Sequence, residues 1–225
     1  GVARACARNF GAKAAVETAL LDAVARAAGM PLAHLFADVA GVPRRVSRGV
    51  GLGGGAAGVF EVATDVTISA GSPEALRSAA QAPAQAGSAS RGAGRAGVAE
   101  GFTRLKLKVG TDAATDVARV RAVREAAGPD IGVRLDANQG WSREDAVAVI
   151  RALAEADLGV EIVEQPVAGD DVEGLAWVRE RVDLPIMADE TVYGATDLER
   201  VIRLEAADAV NVKLAKCGGP LTGLR

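Results

Sequence analysis

The chain has 225 residues, with 26 Lys+Arg against 29 Asp+Glu, a net charge of -3 and 49% apolar residues. That is one domain, or one and a half, able to bury roughly 70% of its unfolded surface, and the near-balanced charge gives no footing for nucleic acid or an anionic membrane as partner. Two cysteines, Cys6 and Cys217, form no pair motif, which argues against a disulfide framework or a cysteine zinc site and suits a reduced, cytoplasmic protein; the single histidine, His34, leaves proton work to Lys, Asp, Glu or a metal.

The first ten residues carry Arg4 and Arg8 and no apolar stretch, so no secretory signal is expected, and Gly1 suggests a start inside a longer protein. No apolar run approaches the ~20 residues of a membrane span. From Ala12 to Ala28, apolar residues recur with helical spacing at Ala15, Val16, Ala19, Leu20, Ala23 and Val24. Asn9 is placed to cap this helix, and Gly29 followed by Pro31 ends it. His34 reads as a packed or surface histidine. Gly49–Gly58 is too glycine-rich for a helix or strand, and Gln81–Gly97 is a low-complexity Ala/Gly/Ser stretch; both read as insertions.

Short β-type runs then alternate with helical patterns. The runs are Val66–Ser69, Arg104–Val109, Gly132–Asp136, Val160–Glu164, Pro185–Asp189 and Ala209–Lys213. The helical patterns are Ala113–Ala127, Arg143–Ala156, Val172–Arg181 and Ala195–Glu205. Repeated strand and helix means βαβ units and a parallel sheet. Of the two architectures this allows, a (β/α)8-type barrel is favoured over an open doubly wound sheet. The turn after the first run, Ser69 to Pro73, offers no phosphate cradle.

Polar residues end these runs at a nearly constant interval: 28 residues from Lys108 to Asp136, 28 to Glu164, 25 to Asp189 and 24 to Lys213. That is one βα unit, so the five side chains should ring the C-terminal mouth of a barrel, where barrel enzymes keep their active sites. Alternation in Leu105-Lys106-Leu107-Lys108 sends both leucines outward to the helices and both lysines inward. Asp136, Glu164 and Asp189 repel unless a cation sits among them. Oxygen-only ligands point to a hard cation, Mg2+ or else Mn2+. Asn138 is placed to support Asp136 or a bound water. Glu190 should face away from Asp189 if the strand continues, in a supporting role. Lys108 and Lys213, on roughly opposite strands, would face a substrate from two sides. The arrangement suits abstraction of a proton beside a carboxylate: the cation neutralises the enediolate, one lysine takes the proton and the other returns it on the opposite face.

The segments TRLKLKVG (Thr103–Gly110), RLDANQGW (Arg134–Trp141), VEQPV (Val163–Val167), MADET (Met187–Thr191) and NVKLAKCGG (Asn211–Gly219) together resemble the enolase superfamily, within it the muconate lactonizing enzyme subgroup. The resemblance runs over roughly Arg8 to Arg225 outside the two insertions. It implies Asp136, Glu164 and Asp189 as Mg2+ ligands, Lys108 and Lys213 as acid/base lysines and Lys106 as a holder of the substrate carboxylate. Residues 1–45 then correspond to the C-terminal helical part of a capping domain, 46–62 to a Gly-rich linker and 63–225 to a partial barrel interrupted at 81–98. With Thr64–Glu74, the motifs look most similar to dipeptide epimerases acting on substrates such as L-Ala-D/L-Glu. Muconate cycloisomerase, o-succinylbenzoate synthase and N-acylamino acid racemase share the five motifs and stand as alternatives.

Six strands are read where the family barrel has eight. The Asp-x-Asp motif that holds a dipeptide's ammonium group is not found, nor is the rest of the cap. The expectation is an Mg2+-dependent epimerase of a small carboxylate, homo-oligomeric at full length and without nucleic-acid or membrane partners. Its competitor from another class is a catalytically inert fragment, because six strands leave two open edges.

Overall fold

The computed structural model describes residues 8–40, 64–69, 71–72, 74–76, 78, 80 and 103–224. Both expected insertions, Gly49–Gly58 and Gln81–Gly97, lie outside the described residues. The chain forms two compact units, residues 1–63 with 212–225, and residues 64–211.

In the first unit, helix α1 (Phe10–Ala27) is followed by α2 (Leu32–Ala40), then by the short α7 (Leu214–Cys217) and α8 (Pro220–Gly223). Asn9 stands at the N-cap of α1 but makes no side-chain capping bond there. The C-terminus follows the expected order. Gly29 is left-handed, its N–H donates to Arg26 O and the Met30 N–H to Ala25 O, which satisfies two orphan carbonyls. The apolar stripe does not face the unit's interior: Val16, Leu20 and Val24 are half exposed, while Lys13, Ala14 and Ala25 are buried. Partners choose the buried face. α1 packs on α7, and Glu17 accepts a hydrogen bond from Leu221 N. His34 lies in α2, a helix the sequence reading does not anticipate. Cys217 is a free thiol. Among the described residues, no single helix is long and apolar enough to cross a membrane.

The second unit is one parallel sheet in sequence order: β1 (Val66–Ile68), β2 (Arg104–Lys108), β3 (Gly132–Asp136), β4 (Val160–Glu164), β5 (Ile186–Ala188) and β6 (Ala209–Val210). Helices α3 (Ala113–Ala127), α4 (Arg143–Glu155), α5 (Val172–Arg179) and α6 (Ala195–Arg203) follow β2 to β5 in turn. A parallel order without reversal is the barrel winding, not the doubly wound one, because a doubly wound sheet places its first strand in the middle.

Local chemistry starts the helices where the motifs end. Asp112, Ser142 and Asp171 accept hydrogen bonds from Ala114, Asp145 and Gly174 N at the starts of α3, α4 and α5. The outward face of the strands, Leu105, Leu107, Val133, Leu135 and Val163, is fully buried with Val120, Val123, Ile150, Leu153 and Leu175 of the helices. The opposite face is charged. At its N-terminal end Glu161 bridges Arg104 and Arg134, and Arg134 also pairs with Asp65.

Candidate active site

Register places the site. Lys108 lies across the ladder from Asp136, and Asp136 across from Glu164. Glu164 lies across from Met187 on β5, and Asp189 follows just past the end of that strand. All three carboxylates are withdrawn from solvent, with relative exposures of 1% for Asp136, 4% for Glu164 and 0% for Asp189.

Two ammonium groups meet them. Lys108 Nζ donates to Asp136 Oδ2 at 2.7 Å. Lys106 Nζ donates to Glu164 Oε2 at 2.5 Å and lies 3.0 Å from Asp136 Oδ2. Burial would lower Lys106, but its bonds to Glu164 and Asp136 outweigh this and hold it above the ordinary lysine value. Burial would raise Asp136, but Lys108 and Lys106 outweigh it and hold it below the usual aspartate value. Glu164 is pushed up by burial and by the charge of Asp136, against the pull of Lys106 and Asn211. The two upward shifts differ in cause: burial leads for Glu164, and the hydrogen bonds to Glu164 and Asp136 lead for Lys106.

The turns that follow are strained in a consistent way. Asn138 and Gln139 after β3, and Gln165 after β4, are non-glycine residues with φ of 50°, 69° and 40°. Such backbone concentrates at functional sites. The Asn138 N–H donates to Asp136 Oδ1 at 3.0 Å, and its side-chain amide donates to Glu190 Oε1 at 2.7 Å. β5 ends at Ala188, so strand alternation does not govern Glu190 and it turns toward Asn138. Its other oxygen, Oε2, is buried without a hydrogen-bond partner.

Three contributing residues carry no assignment from sequence. Asn211 donates to Glu164 Oε1 at 2.8 Å. Gln165, fully buried, joins the turns after β4 and β5. Asp116, also fully buried, accepts from Gly110 N at 2.9 Å, Trp141 Nε1 at 2.9 Å and Arg119 at 2.8 Å, tying the turn after β2 to the turn after β3. Each is a polar residue within or beside a motif, and that was the available signal. Lys213 belongs to the other unit, where it is the N-cap residue of α7.

Among the described residues, no three Asp, Glu, His or Cys side chains converge tightly enough to enclose a metal ion. Asp136 and Glu164 turn instead to Lys106, the cation they share. The donor set nonetheless fits a hard divalent cation: three buried carboxylates at the C-terminal ends of consecutive strands and an orphaned Glu190 oxygen beside Asn138. A cavity of about 560 Å3 opens among the turns after β3, β4 and β5, lined by Gln139, Asp170, Glu190, Thr191, Tyr193 and Arg200. Neither the lysines nor the three carboxylates line it, so it neighbours the site.

The chain is similar in sequence and fold to known proteins. A family model for the enolase C-terminal domain-like fold covers residues 89–225, and one for the mandelate racemase / muconate lactonizing enzyme N-terminal domain covers residues 1–37. The L-Ala-D/L-Glu epimerase of Bacillus subtilis (strain 168) is 39% identical over 212 residues, 94% of this chain and 49% of that protein. A hydrophobic dipeptide epimerase of Enterococcus faecalis is 38% identical over 208 residues, 92% of this chain and 49% of its own length. Among solved structures, a substrate-liganded complex of the Bacillus subtilis epimerase aligns with a TM-score of 0.80 at 37% identity, covering 99% of this chain and 53% of that one. The Enterococcus faecalis V583 dipeptide epimerase complexed with Mg and the dipeptide L-Leu-L-Tyr aligns with a TM-score of 0.79 at 36% identity, covering 98% and 52%. The chain therefore spans about half the length of the curated relatives it matches.

Proposed function

The chain belongs to the mandelate racemase/muconate lactonizing enzyme branch of the enolase superfamily, and from that premise we propose that it carries the catalytic centre of an Mg2+-dependent dipeptide epimerase. One observation carries the reading. Two lysines and two buried carboxylates share one face at the C-terminal ends of consecutive parallel strands, and a third buried carboxylate, Asp189, stands just past the end of the next strand. Similarity to epimerases complexed with Mg and a dipeptide supports both the cation and the substrate class.

Asp136, Glu164 and Asp189 would hold the cation. When bound, it stabilises the negative charge that grows on a substrate carboxylate as the neighbouring carbon loses its proton. The lysines divide the remaining work. Lys106 has a side-chain exposure of 17% and two carboxylate partners, which keep it protonated. It is suited to bind the substrate carboxylate, not to accept a proton. Lys108, at 36%, has one carboxylate partner and a more open approach. It is the base that takes the α-proton or returns it. Lys213 would be the second acid/base lysine of such a reaction, one lysine taking the proton and the other returning it so that the stereocentre inverts.

The test is exchange of the α-proton with deuterated solvent, followed by NMR with Mg2+ and L-Ala-L-Glu. Exchange with inversion and no change of covalent skeleton is expected. A protein extended to the relatives' full length that exchanges nothing would overturn the reading, and a product of different mass would replace it with a cycloisomerase or dehydratase.

A further inference from the structure

We propose that Gln165 is a positioning residue that sets the place of Asp189 relative to Glu164. The inference rests on the reading of Asp136, Glu164 and Asp189 as the cation ligands. Gln165 directly follows Glu164 and is fully buried. Its Oε1 accepts from the backbone N–H of Asp189 at 2.9 Å and of Thr191 at 3.1 Å. Its Nε2 donates to Val167 O at 2.9 Å and to Thr191 Oγ1 at 2.9 Å. This orientation is the one the partners allow: two backbone N–H groups can only donate, and the Val167 carbonyl can only accept.

The backbone of Gln165 is equally committed. Its N–H donates to Met187 O at 2.8 Å, and its carbonyl accepts from Gln139 N at 2.8 Å. One residue, held at a φ of 40°, therefore connects the turns after β3, β4 and β5. Those turns border Asp136, Glu164 and Asp189. The side chain needs an acceptor and a donor at a fixed reach, which a glutamine supplies. Leucine or methionine supplies neither, asparagine falls one methylene short, and glutamate at neutral pH keeps the acceptor but loses the donor. Asp189 lies just past the end of β5, and the Gln165 amide holds its backbone N–H there.

The experiment measures Mn2+ affinity by electron paramagnetic resonance, with Mn2+ as the visible stand-in for Mg2+, together with amide hydrogen exchange at Asp189 and Thr191. In Gln165→Met, Mn2+ affinity is expected to fall about 10–100-fold, the usual loss when a partner that orients a metal ligand is removed. Protection of both amides is lost in the same variant. Gln165→Asn, one methylene short of the same partners, is expected to lose Mn2+ affinity and amide protection in the same direction. A folded Gln165→Met with parental Mn2+ affinity and parental protection overturns the inference. Should Gln165→Met fail to fold, Gln165→Asn decides: a loss of Mn2+ affinity beyond about tenfold with lost protection supports the role, and parental affinity with parental protection overturns it. If the parent binds no Mn2+, the functional reading falls, and amide protection alone decides whether Gln165 fixes Asp189.

Discussion

Lys106 on β2 reaches past β3 to Glu164 on β4, with its Nζ donating to Glu164 Oε2 at 2.5 Å while lying 3.0 Å from Asp136 Oδ2. One ammonium group thus joins the ends of two strands that follow its own. Two carboxylates read as cation ligands converge on that single ammonium group.

A divalent cation should therefore stabilise the chain. At a hundred times its dissociation constant, Mg2+ adds about 2.7 kcal/mol, which is a rise in Tm of about 5–10 °C for a chain of this size. Differential scanning fluorimetry with and without Mg2+ measures the shift. Glu164→Gln should abolish it, and an equal shift in that variant would remove Glu164 from the ligand set.

The two-lysine arrangement predicts a stereochemical division. Lys108→Ala and Lys213→Ala should each lower epimerisation about 10^2–10^4-fold. Each should still exchange the α-proton of one epimer, and the two variants should retain opposite epimers. Exchange of both epimers by both variants would end the assignment of either lysine as a base.

Asp116 is a fully buried charge whose partners are Arg119, Trp141 Nε1 and Gly110 N. Asp116→Ala removes the carboxylate partner of Arg119, which keeps Thr111 and the Gly71 carbonyl, and leaves the buried Trp141 Nε1–H and the half-buried Gly110 N–H without their acceptor, so urea denaturation should show a loss of about 3–5 kcal/mol. Fluorescence of Trp141 reports the same event. A loss below about 1 kcal/mol, the scale of an ordinary surface change, would mean the network is not held by this carboxylate.

Asp208 gives a prediction in pH. Burial pushes its carboxyl up, but the Arg179 guanidinium and the Ile186 N–H outweigh this and hold it below the ordinary aspartate value. A depressed carboxylate contributes stability above its unfolded pKa of about 3.9, and that contribution is lost as pH falls through the folded value. The stability gap between the parent and Asp208→Asn should accordingly be open at pH 7 and narrow below about pH 4. Urea midpoints measured across that range would show a constant gap if the charge is irrelevant.

Periodic features are legible in the sequence, and hubs are not. β3, β4 and α3 fall where alternation and helical spacing place them, because their pattern repeats over several residues and breaks at Gly, Asp or Pro. Lys108, Asp136, Glu164 and Asp189 are legible because one βα unit has a nearly fixed length. Gln165 and Asp116 have no period: each earns its place through partners more than twenty residues away in sequence, such as Asp189 for Gln165 and Trp141 for Asp116. In α1 the spacing identifies a helix but not the side that is buried, since Val16, Leu20 and Val24 keep the period and remain exposed. Asn9 shows the same limit at a cap: residue type marks the helix start, and the side-chain bond depends on a backbone geometry that Asn9, at φ 49°, does not adopt.

Gly110 and Gly140 close the turns after β2 and β3, and each is packed against the other turn's backbone. A Cβ on Gly110 would run into the Ala137 carbonyl oxygen, and one on Gly140 into the carbonyl of Gly110. The two turns are meshed like cog teeth, with no side chain between them to yield. Lys108 and Asp136, on the strand ends that lead into these turns, move as a single piece or not at all. Any adaptation of the rim to a different substrate is left to turns that lack such gearing.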